Sequence, residues 1–371
     1  PCSAIMAAGR LLKNRGAPPP PLPLLGVKLH PLRQKTVVWA VSRYLFAYDI
    51  DRKTWEECRR EIHSDTVRAL DAMVACEPDE TRWVSSGDDK QVIVWSEKGS
   101  TWTLFSKLGH PKKVTVALFD GDGNVVFGDR FGEVYRWTPG EGSESQLLFS
   151  HLAIVTAMTF AGSGRYLVSG DNHEKIRISC YPEAREIYSF CLGHTEQITA
   201  LEPRGDTQLI SAAADGVLRV WSLDGEASAT CDLGSPVIGF CSRADGIIAS
   251  CEASSTFCRV NIGDGRLTIA HAAEMEGLVA STGVQAICML ADGQVLWVDS
   301  RGHLRSQLGD DIFEGSDLPS SAVNLSKNAN LWEEIGKDEA GDDEGGKASK
   351  KRRQAKGSAG HGLDEKGPED C

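Results

Sequence analysis

Four short strand-like runs end at residues spaced by 42: the runs 91–95, 133–137, 175–179 and 217–221 close on Trp95, Trp137, Ser179 and Trp221. A period near forty residues in brief alternating runs marks repeated small sheets rather than one long sheet. Weaker members of the series fall at 45–48 before it and at 259–261 and 295–298 after it, which brings the count to seven. Seven separate sheets would expose many strand edges, whereas radial repetition leaves only short, protected ones. The ladder therefore predicts an all-β, seven-bladed β-propeller forming a single domain over residues 24–325. It leaves open whether a strand near 24–30 or one near 302–308 closes the ring.

The flanks read differently. Five prolines among residues 18–23 cannot donate ladder hydrogen bonds, so residues 1–23 are expected to form a disordered arm, with Met6 a candidate natural start. Residues 326–371 read as a linker and a charged tail; from Lys337 onward apolar side chains nearly vanish, and such a segment cannot offset its ordering entropy. Within it, Lys350 to Arg353, flanked by Lys347 and Lys356, fits a basic nuclear-targeting patch.

Composition narrows the function. A formal net charge of -12 disfavours strong direct binding of a polyphosphate by this chain alone. No apolar run is long enough for a membrane helix. The eleven cysteines are scattered without a C-x-x-C pair, and read as reduced thiols rather than disulfides or metal ligands. Gly121-Asp122-Gly123 looks superficially like a phosphate loop, but no helix-forming segment follows, so it reads as a strand-connecting turn. No βαβ unit is present to hold a nucleotide cofactor.

Turn chemistry keeps the register of the ladder. Asp89 and Asp215 each stand six residues before a ladder tryptophan, where a short carboxylate accepts backbone N–H bonds in a tight turn. His194, Ser211, Asp215 and Trp221 match by residue type the hydrogen-bonded set with which WD repeats tie adjacent strands; His110 and His151 occupy the histidine slot in earlier units. Asp89, Trp95 and Trp137 belong to the same structural group. The His, Ser and Asp also resemble a hydrolase triad by type, but a catalytic trio is not expected to recur at blade period.

The fourth unit breaks the pattern, with Ser179 in place of Trp and His173 in place of the turn Asp. Asp171, His173, Glu174, Lys175 and Arg177 crowd one turn and the strand leaving it, as on a solvated rim. This stretch resembles a known family, the WD-repeat non-catalytic subunit of the eukaryotic tRNA (guanine-N7)-methyltransferase. The resemblance lies in E-K-I-R-I-S from Glu174 to Ser179, S-F-C-L-G-H-T-E from Ser189 to Glu196 and, more weakly, G-D-R-F-G-E-V-Y from Gly128 to Tyr135. The family commonly has Asp-Arg-Asp-Glu where this chain has Asp171-Asn172-His173-Glu174.

That resemblance implies a heterodimer in which a separate catalytic subunit binds S-adenosylmethionine and methylates a guanosine in the tRNA variable loop. This chain would hold that subunit in its active form, meet tRNA mainly through it, and carry no cofactor or metal of its own. By matching, Arg177 is the basic interface residue, with Lys175, Glu174 and Asp171 beside it and Arg130 on the adjacent blade. Other readings are a different scaffold, such as a ubiquitin-ligase substrate receptor, or an enzyme built on a propeller. Substrate receptors generally carry Arg two residues after the closing Trp, where this chain has Glu97 and Leu223.

Overall fold

Among the described residues, short strands separated by turn residues pair with their sequence neighbours, so each run of three or four becomes a separate antiparallel meander. The computed structural model describes residues 27–306, apart from 34, 42, 53, 60–62, 244–245, 253–256, 264–265, 270–283, 290–294 and 300–303. The expected arm and tail lie outside the described residues. Among those residues all regular structure is β. Six four-stranded sheets follow one another at 27–59, 67–109, 114–150, 155–191, 198–232 and 237–269, and a three-stranded sheet covers 284–306. They are called here the first to the seventh sheet.

The first strand of every sheet contributes to the lining of one cavity of about 460 Å³, so the sheets stand around a common axis. The chain is a β-propeller. Second strands are covered on both faces, as in Tyr166–Asp171 and Gly246–Cys251, while the outermost strand Ile187–Cys191 is largely exposed. This explains why the second strands read as near-continuous apolar runs.

The apolar core is divided among the boundaries between sheets. Trp95 packs from the second sheet onto Val38 and Leu45 of the first, Trp137 from the third onto Val84 and Val92 of the second, and Trp221 from the fifth onto Val168 and Ile176 of the fourth. At the boundary of the third and fourth sheets, where Ser179 replaces the tryptophan, the space is filled by Phe149, Met158, Ala184 and Tyr181. The ring closes where Val37, Trp39 and Phe46 of the first sheet meet Cys288, Leu296 and Leu304 of the seventh.

Inner strands of consecutive sheets are also clamped to each other by polar bonds. Thr115 Oγ1 donates to the Val155 carbonyl and Thr156 Oγ1 to that of Ile198, both at 2.6 Å. Asp71 accepts from the Phe119 N–H at 2.9 Å, and Glu202 from the Ser242 N–H at 3.0 Å. Gly128 and Gly170 permit this closeness: a Cβ on Gly128 would meet Val155 at 2.9 Å, and one on Gly170 would meet Ile198 at 2.7 Å.

Two expectations change. Among the described residues neither stretch considered for closure pairs with another sheet, since Val27–Leu29 pairs with Thr36–Val41 and Leu304–Ser306 with Val295–Asp299. The run 295–298 is the second strand of its sheet and not the third, the place the ladder gave it. A short buried apolar run has no feature that distinguishes a second from a third strand.

Candidate functional site

Among the described residues the repeated polar set is complete in two sheets. In the fifth, His194 bridges Asp215 (Nδ1, 2.9 Å) and Ser211 Oγ (Nε2, 2.7 Å), and Trp221 Nε1 donates to the same Ser211 Oγ at 2.7 Å. Asp215 also accepts from the N–H groups of Thr195 and Val217. In the second, His63 bridges Asp89 and Ser85 Oγ, with Trp95 Nε1 donating to Ser85 at 3.0 Å. His63 escapes the sequence reading because it stands 32 residues before Trp95, against 27 for His194 before Trp221, whereas Ser85 keeps the spacing of ten that Ser211 has from its tryptophan and was legible. Ser211 is fully buried and already bonded to two partners, so this trio has neither access nor a free nucleophile.

The third and fourth sheets use a different solution. Phe127 occupies the serine place in the third, so the buried Trp137 donates instead to Ser143 Oγ at 2.7 Å. His110 bonds Asp129 at 3.0 Å, and in the fourth sheet His151 bonds Asp171 at 3.1 Å and Ser169 Oγ at 2.7 Å. Asp129 and Asp171 each stand two residues before the ladder position of Asp89 and Asp215. The carboxylate has moved to the end of the strand while the histidine has stayed.

Two of the expected partner-binding residues lie inside the blade rather than on its rim. Asp171 is 1 % exposed and committed to His151 and to the N–H groups of His173 and Lys175. Burial alone would raise its pKa, but these bonds hold the carboxyl below the usual range. Arg177 is 8 % exposed and is no rim residue. Its guanidinium donates to Ser179 Oγ at 2.8 Å and to the carbonyls of Ala184 and Arg185, and lies 3.9 Å from the centre of the Phe149 ring. Loss of the ladder tryptophan leaves a gap, and Arg177 folds inward to fill it. Burial pulls its pKa below the ordinary arginine value.

What remains exposed forms one strip over the third and fourth sheets. The His151 N–H bonds the Gly132 carbonyl and the Asn172 N–H bonds that of Ile154, so the turn 130–132, the link 151–154 and the turn 172–175 are contiguous. His173, Glu174 and Lys175 are all exposed there. Glu174 has φ of 65°, at the ladder position of Gly132 and Gly216, a left-handed conformation that costs a non-glycine residue about 1 kcal/mol. Arg130 flanks Phe131, which Lys112 Nζ approaches at 3.9 Å from the ring centre. Phe131 is 43 % exposed and Leu152 94 %. The sequence reading missed Lys112, Phe131 and Leu152; a leucine directly after the structural His151, with no place in the apolar alternation, was the available signal.

An apolar and basic strip on rigid turns is suited to holding a protein surface that carries carboxylates. Among the described residues no group of three or more His, Cys, Asp or Glu could hold a metal ion. Residues 137–250, which take in the fourth and fifth sheets, match the family model of the tRNA methyltransferase TRM82 WD40 domain. Residues 56–96 match that of the WD domain, G-beta repeat. The chain is a WD-repeat β-propeller. The resemblance drawn from Glu174–Ser179 and Ser189–Glu196 is upheld, since both motifs lie within the match.

Curated relatives agree. The chain is 28% identical over 160 residues to the tRNA (guanine-N(7)-)-methyltransferase non-catalytic subunit wdr4 of Dictyostelium discoideum, covering 38% of this chain and 34% of that protein. It is 30% identical over 141 residues to the subunit of the same name from Xenopus laevis (37% and 35%) and to the non-catalytic subunit wuho of Drosophila pseudoobscura pseudoobscura (38% and 36%). The match therefore spans about a third of the length of each relative. Among solved structures, a chain of the mitotic checkpoint complex superposes with a TM-score of 0.62 at 15% identity, over 78% of this chain and 94% of that one. The Cps50 (Swd1) β-propeller domain of Myceliophteria thermophila gives 0.63 at 14% identity, over 76% and 94%. These two likenesses concern the fold.

Proposed function

We propose that this chain is the non-catalytic scaffold subunit of a heterodimeric tRNA (guanine-N7)-methyltransferase, binding and stabilising the catalytic subunit that forms N7-methylguanosine in the tRNA variable loop. The observation that carries this reading is the family match over 137–250, because that stretch contains the turn that bears Glu174 and Lys175. The ring is read as seven-bladed, with the three-stranded sheet at 284–306 as the seventh blade, supported by its packing against both the first and the sixth sheets.

On this reading the partner meets the strip of Arg130, Phe131, Leu152, Glu174 and Lys175. Arg177 and Asp171 support that strip from within and do not touch the partner. S-adenosylmethionine and the chemistry belong to the partner, and the chain's charge of -12 leaves most of the phosphate contact to the partner as well. The basic run at 350–353 would direct the complex to the nucleus.

Co-expression with a candidate catalytic subunit tests the reading. The pair should co-purify in equal amounts and methylate tRNA, whereas this chain alone should not. Charge reversal by Arg130→Glu with Lys175→Glu should weaken association roughly tenfold or more while leaving the propeller folded. Unchanged association would remove the interface from this strip. A purified chain without any methyltransferase among its stoichiometric partners would remove the function.

A further inference from the structure

Two inner strands carry the same pattern at the same place. Val67-Arg68-Ala69-Leu70-Asp71 opens the second sheet and Ile198-Thr199-Ala200-Leu201-Glu202 the fifth, so Asp71 and Glu202 stand at equal positions. Both line the cavity on the propeller axis. Each also accepts the backbone N–H at the matching place in the next sheet, Phe119 for Asp71 and Ser242 for Glu202. Their counter-charges differ. Lys28 Nζ pairs with Asp71 at 3.2 Å. Among the described residues Glu202 makes no ion pair; the N–H and Oγ of Ser242 both donate to its Oε2, at 3.0 and 2.6 Å, and Oε1 has no partner. Burial pushes the Glu202 carboxyl above the usual range, and the Ser242 bonds and the charge of Lys28 offset this only in part.

We propose that this cavity binds an aliphatic primary ammonium, its head on Glu202 and its stem along the apolar wall. Leu70, Val116, Met158, Phe240 and Ile287 contribute to that wall. The volume of about 460 Å³ is that of a small-ligand site, roughly 300 to 1,000 Å³. A carboxylate set among apolar side chains without a cation of its own gains most from a cation that brings an apolar body with it. The ammonium donates to Oε1, while Oε2 stays with Ser242. Lys28 and Arg243 also line the cavity and oppose a second positive charge, so the site selects a monocation. An anion would have to draw Lys28 away from Asp71 and would face Glu202.

The full chain in phosphate buffer is titrated calorimetrically with hexylammonium chloride, 1-hexanol and sodium hexanoate, which share a stem and differ in the head group. Hexylammonium should bind roughly tenfold or more tightly than hexanol, and hexanoate more weakly than either. Glu202→Gln, which keeps an acceptor for Ser242, should bring hexylammonium down to the level of hexanol. Gly239→Leu should weaken all three probes. Gly239 lines the cavity, and a Cβ there would meet only Ile287 Cγ2, at 3.8 Å, so the added side chain fills space without displacing backbone. Hexanol as tight as hexylammonium, hexanoate tighter than hexylammonium, or hexylammonium binding that both substitutions leave unchanged would each overturn the proposal. The comparison of head groups is made on the wild-type chain and decides it even where a variant fails to fold. A blocked pentapeptide of glycines with a central lysine separates the sources. Its binding would support the site as one for a lysine side chain of another protein, and its failure beside hexylammonium binding would support one for a free amine.

Discussion

The fifth and fourth sheets carry the same turn in two forms. In the fifth, His194, Ser211, Asp215 and Trp221 make a closed set, Gly216 takes the left-handed turn position, and Arg219 lies over Trp221 near the surface. In the fourth, the carboxylate comes from Asp171, the tryptophan is Ser179, the left-handed position is Glu174, and Arg177 is drawn into the gap. The histidine still bonds a serine and a carboxylate, and the third strands keep their spacing. A blade can therefore lose its tryptophan and relocate its carboxylate and keep its geometry, provided another side chain fills the volume and satisfies the polar groups. Phe131 and His173, at the turn position that Asp89 and Asp215 hold in other sheets, are released from that duty and lie exposed on the candidate partner-binding strip.

The sharpest way to break the comparison is to remove the tryptophan where it exists and add it where it is missing. Trp221→Ala should cost about 3 to 5 kcal/mol in denaturant unfolding, since a fully buried ring and a donor to Ser211 are both lost. Ser179→Trp should not stabilise the fourth sheet. Phe149, Ala184 and the Arg177 guanidinium already fill the space, so overpacking should cost about 1 to 3 kcal/mol.

The two arginines at equal ladder positions give the next contrast. Arg177→Met should cost about 2 to 3 kcal/mol, because Ser179 Oγ and two carbonyls lose a donor inside the protein. Arg219→Met, at a more exposed site, should stay within about 0.5 kcal/mol. Equal costs would mean that Arg177 is not the substitute for the missing ring.

Acid unfolding compares the two carboxylates. Both Asp171 and Asp215 lie below their ordinary pKa in the folded chain, where histidine and backbone hydrogen bonds more than offset the effect of burial. The stability they contribute is present above the unfolded value near pH 3.9, and is lost as pH falls through the lower folded value. Asp171→Asn and Asp215→Asn should each flatten the pH dependence below about pH 4. A flattening in only one of them would show that the shifted carboxylate is not equivalent to the ladder one.

The smallest effect concerns the turn. Glu174→Gly should gain about 1 kcal/mol by relieving a left-handed glutamate, and Gly216→Ala should lose at least as much, since its φ is 83° and a Cβ there would sit 3.0 Å from the Ser235 carbonyl oxygen. If Glu174→Gly also weakens binding of the partner subunit, that strain is retained for the interface.

The period of 42, the turn residues and the apolar runs were enough to give the all-β propeller, the places of the third strands from the first sheet to the sixth, and the structural set in the fifth. They are local signals, and each blade repeats them. The residue types of the fourth unit were legible too, but not their direction. Whether Arg177 points to solvent or into the blade depends on the volume left by Ser179 and on Phe149 and Ala184 across the boundary. Whether Asp171 is free depends on His151, twenty residues earlier in the chain. Alternation along a strand fixes which face a side chain takes, while packing between two sheets decides whether that face is open. The sequence by itself determined the ring; only the tertiary structure decided which charges on its fourth blade remain outside.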